Sequence, residues 1–186
     1  MLKPDKLERY IVEDQIMVRT GTIPDGSCFF HAVHYALSET YRNMSQTERM
    51  AYIQNIRDRI ADFVTIPMVK KLGNGTIWEL LRDEFKLDDS GILDAYRHLL
   101  RHEWVNEFCW ELLQEIYQSN IIVIKEHQIY QMFQNDYRYP NNIFLLWIHD
   151  SHYELLGYHI DDVLIGYVVM TQHPFIQKIK LKTNKT

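Results

Sequence analysis

Cys28 lies at the junction between a turn-rich loop and a predicted helix. It follows a dense cluster of turn formers, TGTIPDG at residues 20–26. From Cys28 onward, Phe30, Val33 and Leu37 recur at helical spacing, which predicts that Cys28 lies in the first turn of a helix. Unpaired backbone N–H groups and the positive end of the helix dipole stabilise a thiolate at such a position. The sequence therefore predicts a reactive thiol at residue 28.

A cysteine nucleophile needs an imidazole base, and the imidazole needs a polar group to hold its tautomer. His152 begins a predicted strand, directly after the buried run at residues 143–148 and a short turn. Glu154 lies two residues further on, so its side chain is expected on the same face of that strand. Asp150, in the turn, is a competing orienting group. The residues thus predict a His152 base oriented by either Glu154 or Asp150.

The loop before Cys28 is a candidate oxyanion hole. Gly26 lets the backbone pass close to a ligand, and the neighbouring amides could point at the oxygen of a tetrahedral intermediate. Asp25 and Ser27 are both suited to cap the amide groups of the helix that follows.

Helices are predicted between the candidate nucleophile and the candidate base. One capping box runs from Ser45 to Glu48 and opens an apolar face that continues until Pro67. A second capping box is predicted from Thr76 to Glu79.

Strands are expected mainly in the second half of the chain. The first twenty residues show no clear period, and residues 125–142 are predicted to form an aromatic-rich loop. Short apolar or β-branched runs predict strands at residues 121–124, 143–148, 152–156, 163–170 and 176–181. Helices followed by a sheet predict an α+β fold, a mixed α/β sandwich.

Composition limits the classes of function. The 186 residues suit a single domain, with 46% hydrophobic and 24% charged residues. The net charge of −5 comes with no basic stripe, so nucleic acid is not an expected partner. No apolar stretch is long enough to span a bilayer, so a soluble protein of the cytoplasm, with no membrane partner, is expected. The two cysteines offer neither a disulfide framework nor a zinc spacing.

Residues 24–33, PDGSCFFHAV, resemble the Asp-Gly-x-Cys-hydrophobic signature of the ovarian-tumour (OTU) cysteine proteases. His152 and the following YELL resemble the His-Tyr element of that family, and Trp104 resembles a tryptophan that lies between the two. The likeness covers residues 20–160 in the expected order. It implies a single OTU-like catalytic domain with a small central sheet between helical layers.

The resemblance also implies an activity, namely hydrolysis of the isopeptide bond that joins ubiquitin, or a ubiquitin-like modifier, to a lysine. No metal or organic cofactor is implied. By this likeness Cys28 is the nucleophile, His152 the base, and Asp25 a residue that shapes the oxyanion loop. The family usually has Asp or Asn two residues after the histidine. Because Glu154 stands there, the third member stays open among Glu154, Asp150 and an N-terminal residue.

Three segments are expected to contact ubiquitin by the same likeness, namely residues 22–27, 125–139 and 142–151. The predicted substrate-binding residues are Gly26, Ser27, Tyr130, Phe133, Tyr137, Trp147, His149, Ser151 and Tyr153. The expected partners are ubiquitin, polyubiquitin chains or a ubiquitin-like modifier, bound by a monomer. The small size of the domain hints at a viral or bacterial effector that acts in the host cytoplasm.

Two alternatives follow from the same residues. Glu154 could mark a lost triad, which would make the chain a ubiquitin-binding pseudoenzyme. The thiol could also serve a cysteine hydrolase that acts on another protein or on a small amide.

Overall fold

The computed structural model describes residues 1–12, 14–132, 138–161 and 164–177. By internal packing the chain divides into two compact units. The first unit comprises Met1–Pro24, Cys28–Asn43 and Tyr117–Thr186, and the second comprises Asp25–Ser27 and Met44–Ile116.

The first unit contains a mixed β-sheet. Its strands are β1 (Leu7–Val12), β2 (Gln15–Thr20), β3 (Ser119–Lys125), β4 (Gln128–Met132), β5 (Asn141–Ile148), β6 (His152–Asp161), β7 (Leu164–Gly166) and β8 (Val168–Met170). The strand order is β1-β2-β6-β5-β3-β4, with β7 paired to β6 and β8 to β5. Strands β3 and β5 run parallel, whereas β5 and β6 form an antiparallel hairpin in which Ile148 is paired with His152.

Apolar runs place β3 and β5 in the middle of this sheet. Most of their side chains are buried and none is exposed, as expected for strands whose two faces are both covered. One buried cluster of this unit also draws on β1, β2, β6, β8 and the C-terminal segment and contains Val12, Met17, Ile122, Ile124, Phe144, Leu146, Leu156, Val169, Phe175 and Ile176. Helices α1 (Cys28–Leu37) and α2 (Glu39–Arg42) belong to this unit as well.

Strands β1 and β2 form a hairpin that the sequence did not predict. Most side chains of β1 are exposed, so this strand lacks the apolar alternation that reveals a half-buried strand. Its pairing rests on the backbone ladder with β2. The turn between β3 and β4 adds a contact, because the His127 ring stacks on Tyr10 with centroids 4.5 Å apart.

Two other local predictions were wrong. Strand β4 lies inside the stretch predicted to be a loop, where its pairing with β3 outweighs an indistinct apolar pattern. Residues 174–177 are helical, although a strand was predicted from residue 176; Pro at the first position of this turn favours a helix start.

The second unit is helical. It contains α3 (Gln46–Phe63), α4 (Ile66–Val69), a 3₁₀ turn (Leu72–Gly75), α5 (Thr76–Phe85), α6 (Asp89–His102) and most of α7 (Glu107–Tyr117).

The capping predictions for these helices had mixed outcomes. Helix α3 starts with the predicted capping box at Ser45 and Glu48. The capping box predicted at Thr76 is absent from this described helix, because the preceding 3₁₀ turn makes Gly75 the N-cap and no side chain caps there.

The predicted α+β class is confirmed by these helices and the mixed sheet. No helix within the described ranges is long and apolar enough to cross a membrane.

Candidate active site

Cys28 is the first residue of helix α1, as the sequence predicted. Its side chain is 5% exposed. The backbone N–H of Tyr153 donates a hydrogen bond to its sulfur over 3.3 Å, and the sulfur lies 4.0 Å from the carbonyl oxygen of Ser151. Because Ser151 and Tyr153 flank His152 in the chain, folding brings the thiol against the backbone on both sides of the candidate base.

His152 opens strand β6 and is buried, with 4% of the residue exposed. Its Nε2 atom lies 3.4 Å from the Thr22 hydroxyl and 3.6 Å from Oε1 of Glu154. The Thr22 hydroxyl donates to the carbonyl oxygen of Tyr153 over 2.5 Å. Because its proton is used in that bond, the Thr22 oxygen is left to accept a hydrogen bond from the imidazole. This arrangement favours the tautomer of His152 that carries its proton on Nε2.

Burial lowers the pKa of the His152 imidazole below its usual value of 6.5, while the charge of Glu154 acts in the opposite direction and that of Arg19 adds to the lowering. The ring is thus held in its neutral form at neutral pH. Only the neutral form can accept a proton, so this electrostatic setting suits a general base.

Glu154 is fully buried, and both of its carboxylate oxygens are engaged. Oε2 forms an ion pair with Nε of Arg19 at 2.5 Å, and Oε1 accepts the backbone N–H of Leu2 over 2.7 Å. As the strand periodicity predicted, its side chain shares the face of His152, because Oε1 lies beside the imidazole.

Asp150 has a different environment from Glu154. It lies in the turn between β5 and β6 with a φ of 56°. Its carboxylate is 67% exposed and pairs with Nζ of Lys125 at 2.5 Å. Of these two candidate orienting groups, Glu154 lies beside the imidazole, whereas Asp150 pairs with Lys125.

The loop Asp25–Ser27 belongs to the second unit and immediately precedes Cys28 in the chain. The Asp25 carboxylate accepts the backbone N–H of Ser27 over 2.9 Å, which fixes the turn. Gly26 has a φ of 83°, a region that disfavours side chains, and a Cβ there would come within 3.2 Å of the Trp104 indole nitrogen. The Ser27 hydroxyl accepts a hydrogen bond from Arg57 over 2.8 Å.

Two predicted substrate residues, Trp147 and Tyr153, form an aromatic stack across strands β5 and β6. The rings of Trp147 and Tyr153 are nearly parallel with centroids 6.2 Å apart, and the Lys125 ammonium lies 4.8 Å from the Trp147 ring centroid. His149 is exposed in the β5–β6 turn, and Ser151 contributes its carbonyl oxygen to the Cys28 environment.

The predicted aromatic loop is only partly described. Tyr130 lies on strand β4, and its side chain is outside the description. Phe133 and Tyr137 lie outside the described residues.

Sequence reasoning missed the partners of Glu154. Arg19 is paired with Leu156 across β2 and β6, so it is a diagonal neighbour of Glu154 on the sheet. Arg19 stands in a segment without apolar period, and the Leu2 contact uses a backbone amide, so neither left a signal in the pattern. Thr22 was included only in a predicted ubiquitin-contacting segment.

No family model matches this sequence, and no curated protein matches it. Solved structures do match. An OTU domain in complex with ubiquitin aligns with a TM-score of 0.55 and 17% identity, over 96% of this chain and 89% of that chain. An OTU deubiquitinase from Wolbachia pipientis wMel aligns with a TM-score of 0.45 and 15% identity, over 83% of this chain and 90% of that chain.

The likeness to the ubiquitin-bound domain shows that the chain has the fold of an OTU domain. The sequence resemblance to that family is thereby confirmed at the level of the fold.

Proposed function

We propose that this protein is a thiol-dependent deubiquitinase that hydrolyses the isopeptide bond between ubiquitin, or a ubiquitin-like modifier, and a lysine. One observation carries the proposal. The Cys28 sulfur, at the start of a helix, lies against the backbone on both sides of a buried imidazole that has a carboxylate at its Nε2 side. The fold shared with a ubiquitin-bound OTU domain supports ubiquitin as the partner.

The first chemical step follows from this geometry. The Nε2 side of His152 faces Thr22 and Glu154, which leaves Nδ1 to take the proton of Cys28. The resulting thiolate attacks the carbonyl carbon of the isopeptide bond, and the carbonyl oxygen becomes an oxyanion. The Asp25–Ser27 loop, whose turn is fixed by the Asp25 carboxylate, is the proposed source of amides for that oxyanion.

The imidazolium then returns its proton to the leaving lysine nitrogen, and the carbon–nitrogen bond breaks. The product is a thioester between the ubiquitin C-terminus and Cys28. A water molecule, deprotonated by His152, attacks the thioester carbonyl, and the thiol is released with its proton restored.

The proposed ubiquitin surface includes Trp147 from the aromatic stack, with His149 and Ser151 of the adjacent turn. Tyr153 is only 3% exposed and packs against Phe29, so it supports Trp147 instead of contacting ubiquitin. Gly26 and Ser27 would contact the ubiquitin tail from the loop before the nucleophile. Tyr130, Phe133 and Tyr137 remain predictions for the same surface. A single catalytic domain, a monomeric state, a cytoplasmic location and an effector origin also remain proposals.

A ubiquitin probe with a C-terminal electrophile tests the nucleophile. Wild type should be labelled, and Cys28→Ala should not be labelled, because the variant lacks the attacking sulfur. Cys109→Ala is the matched control, since Cys109 is the other buried cysteine, and it should be labelled like wild type. His152→Ala should be labelled at least roughly a hundredfold more slowly, because loss of a triad base is severe. Equal labelling of wild type and Cys28→Ala would refute the proposal.

A ubiquitin-binding pseudoenzyme is the second candidate, and one observation favours it. The Cys28 side chain is 5% exposed, so an attacking trajectory requires some opening around the sulfur. Measurable ubiquitin affinity without cleavage of any ubiquitin chain would select this candidate. Labelling by probes built on other modifiers, but not by the ubiquitin probe, would redirect the proposal to a ubiquitin-like substrate.

A further inference from the structure

We propose that Arg19 and the backbone amide of Leu2 are positioning groups for the catalytic imidazole, which act by holding Glu154 beside His152. The inference rests on the proposed function, since it assigns the groups that support its base. It makes the N-terminal segment and strand β2 part of the catalytic machinery.

The burial of Glu154 requires such groups. Its side chain has no exposed surface, and an ionised carboxylate removed from water is costly unless it is paired and hydrogen-bonded. Arg19 Nε satisfies one oxygen at 2.5 Å, and Leu2 N–H satisfies the other at 2.7 Å. Both donors are closer to the carboxylate than His152 is, at 3.6 Å. They therefore determine where the carboxylate lies, and the imidazole is oriented against a carboxylate that is already fixed.

Arg19 is itself held in position by the sheet. It pairs with Glu8 across β1 and β2, and its Nη1 lies 3.2 Å from the Glu8 carboxylate. The Arg19 side chain is only 15% exposed, whereas Glu8 is 53% exposed. Exposed ion pairs contribute little to stability, so Glu8 serves mainly to align the guanidinium of Arg19. The buried carboxylate of Glu154 is the partner that needs the positive charge of Arg19.

Backbone pairing around Gly21 holds the N-terminal segment in place. Asp5 N–H donates to the Gly21 carbonyl, and Gly21 N–H donates to the Lys6 carbonyl, each over 3.0 Å. A Cβ on Gly21 would lie 2.2 Å from the Lys3 carbonyl oxygen, so a glycine is needed for the segment to come this close. The next residue, Thr22, contacts His152. One short stretch of chain therefore holds the Leu2 amide and also supports the imidazole.

The charges around the ring give the inference a distinctive readout. Glu154 on β6 raises the pKa of His152, whereas Arg19 on β2 and the amino group of Met1 lower it. Glu8 on β1 pairs with Arg19, and the Cys28 thiol lies beside strand β6. Loss of the Arg19 charge alone would raise the His152 pKa, but release of Glu154 removes a larger effect that raises it. A positioning role for Arg19 therefore predicts a lower His152 pKa in its absence, whereas a purely electrostatic role predicts a higher one.

The test compares Arg19→Gln, Arg19→Lys and the control Arg9→Gln, which removes the same charge from an exposed site on β1. An NMR titration of the His152 ring, assigned with His152→Gln, needs no ubiquitin. Arg19→Gln should lower the His152 pKa and lower kcat on a fluorogenic ubiquitin substrate by roughly tenfold or more with a smaller change in KM. Arg19→Lys should rescue the pKa and part of kcat. Arg9→Gln should leave both unchanged.

Leu2→Pro tests the amide separately, because proline lacks the N–H, and Leu2→Ala is its control with the amide retained. Leu2→Pro is expected to lower kcat more than Leu2→Ala does. A His152 pKa that is raised or unshifted in Arg19→Gln would overturn the inference and leave the deubiquitinase proposal intact. If wild type does not cleave ubiquitin, the proposed function fails, and the titration still decides whether Arg19 controls the imidazole.

Discussion

Glu154 stands two residues after His152, and its carboxylate lies beside the imidazole. Its Oε1 lies 3.6 Å from His152 Nε2, which is beyond an ordinary hydrogen bond. At this distance the carboxylate acts on the imidazole mainly through its charge. Thr22, at 3.4 Å from the same nitrogen, is a neutral neighbour that supports one tautomer. The two groups together suit a base that must stay neutral until it receives the thiol proton.

The pH dependence of activity tests whether Glu154 acts on His152 through its charge. The base must be neutral, so kcat/KM should fall on the acid side as pH drops through the His152 pKa, which lies below 6.5. Glu154→Gln removes the charge that raises this pKa. The acid limb should therefore move to lower pH, and kcat should fall by roughly ten- to a hundredfold because the ring loses its orienting charge.

Asp150→Asn provides the comparison, because the Asp150 carboxylate pairs with Lys125 instead of the imidazole. A pH–rate profile of both variants with a fluorogenic ubiquitin substrate is the measurement. Asp150→Asn should be clearly less impaired than Glu154→Gln. Similar losses in the two variants would contradict the assignment of Glu154 as the orienting group.

At the scale of secondary-structure elements, Arg57 of helix α3 connects the loop before the nucleophile to the end of helix α6. Its side chain is buried, and its guanidinium donates to Ser27 Oγ over 2.8 Å and to the Leu100 carbonyl over 2.8 Å. A third donor reaches the Glu103 carbonyl at 2.5 Å. The last carbonyls of a helix lack intrahelical partners and favour a cation. The planar guanidinium of Arg57 donates hydrogen bonds to these carbonyls and also to Ser27, the residue before Cys28. It therefore holds Ser27 in place.

Arg57→Lys keeps the charge but cannot make this fork of hydrogen bonds. We expect the free energy of unfolding to fall by about 1 to 3 kcal/mol, as is typical when buried acceptors lose their hydrogen-bond donor. We also expect slower labelling of Cys28 by the ubiquitin probe, because the preceding loop is released. Urea unfolding and labelling rates measure the two effects.

Arg97→Lys is the matched control, since Arg97 of helix α6 also donates to a backbone carbonyl, that of Val64, over 2.9 Å. It should leave the labelling rate of the folded protein near that of wild type. If Arg57→Lys labels as fast as Arg97→Lys, the loop does not depend on Arg57.

At the scale of the whole molecule, acid sensitivity should arise from histidines that folding buries in their neutral form. Helix α1 carries one of them, His34, whose Nε2 lies 3.0 Å from the Tyr117 hydroxyl. Burial, reinforced by the nearby His31, lowers the His34 pKa from 6.5 to about 4. The unfolded chain therefore binds more protons than the native protein between these two values.

The stability of the fold should accordingly fall as pH falls from 6.5 towards 4. Between pH 7 and pH 5 the His34 contribution alone amounts to about 2 kcal/mol of unfolding free energy. His34→Gln should remove most of that loss while leaving the smaller loss from His152, whose pKa is also lowered.

Urea unfolding curves at several pH values measure this effect. His98→Gln, a change at an exposed histidine, should retain the full loss of stability at pH 5. The same pH dependence in His34→Gln and wild type would show that His34 is not a source of the acid sensitivity.

Much of the fold can be predicted because its signals are local. The helix that starts at Cys28, the Ser45 capping box and the strands β5 and β6 follow from apolar spacing and capping within short windows. Strands β1 and β4 could not be predicted in this way. They lie at the two ends of the sheet order, where backbone ladders to a neighbouring strand compensate for weak apolar patterns.

In the candidate site, too, some features follow from local sequence and others depend on the tertiary structure. Residue types and short spacings suffice to nominate Cys28, His152 and two possible carboxylates, because helix starts and strand faces are local properties. The choice between Glu154 and Asp150, and the recruitment of Arg19 and the Leu2 amide, depend on how β2 pairs with β6 across more than a hundred residues of chain. That register results from the packing of the entire sheet, and no short stretch of sequence contains it.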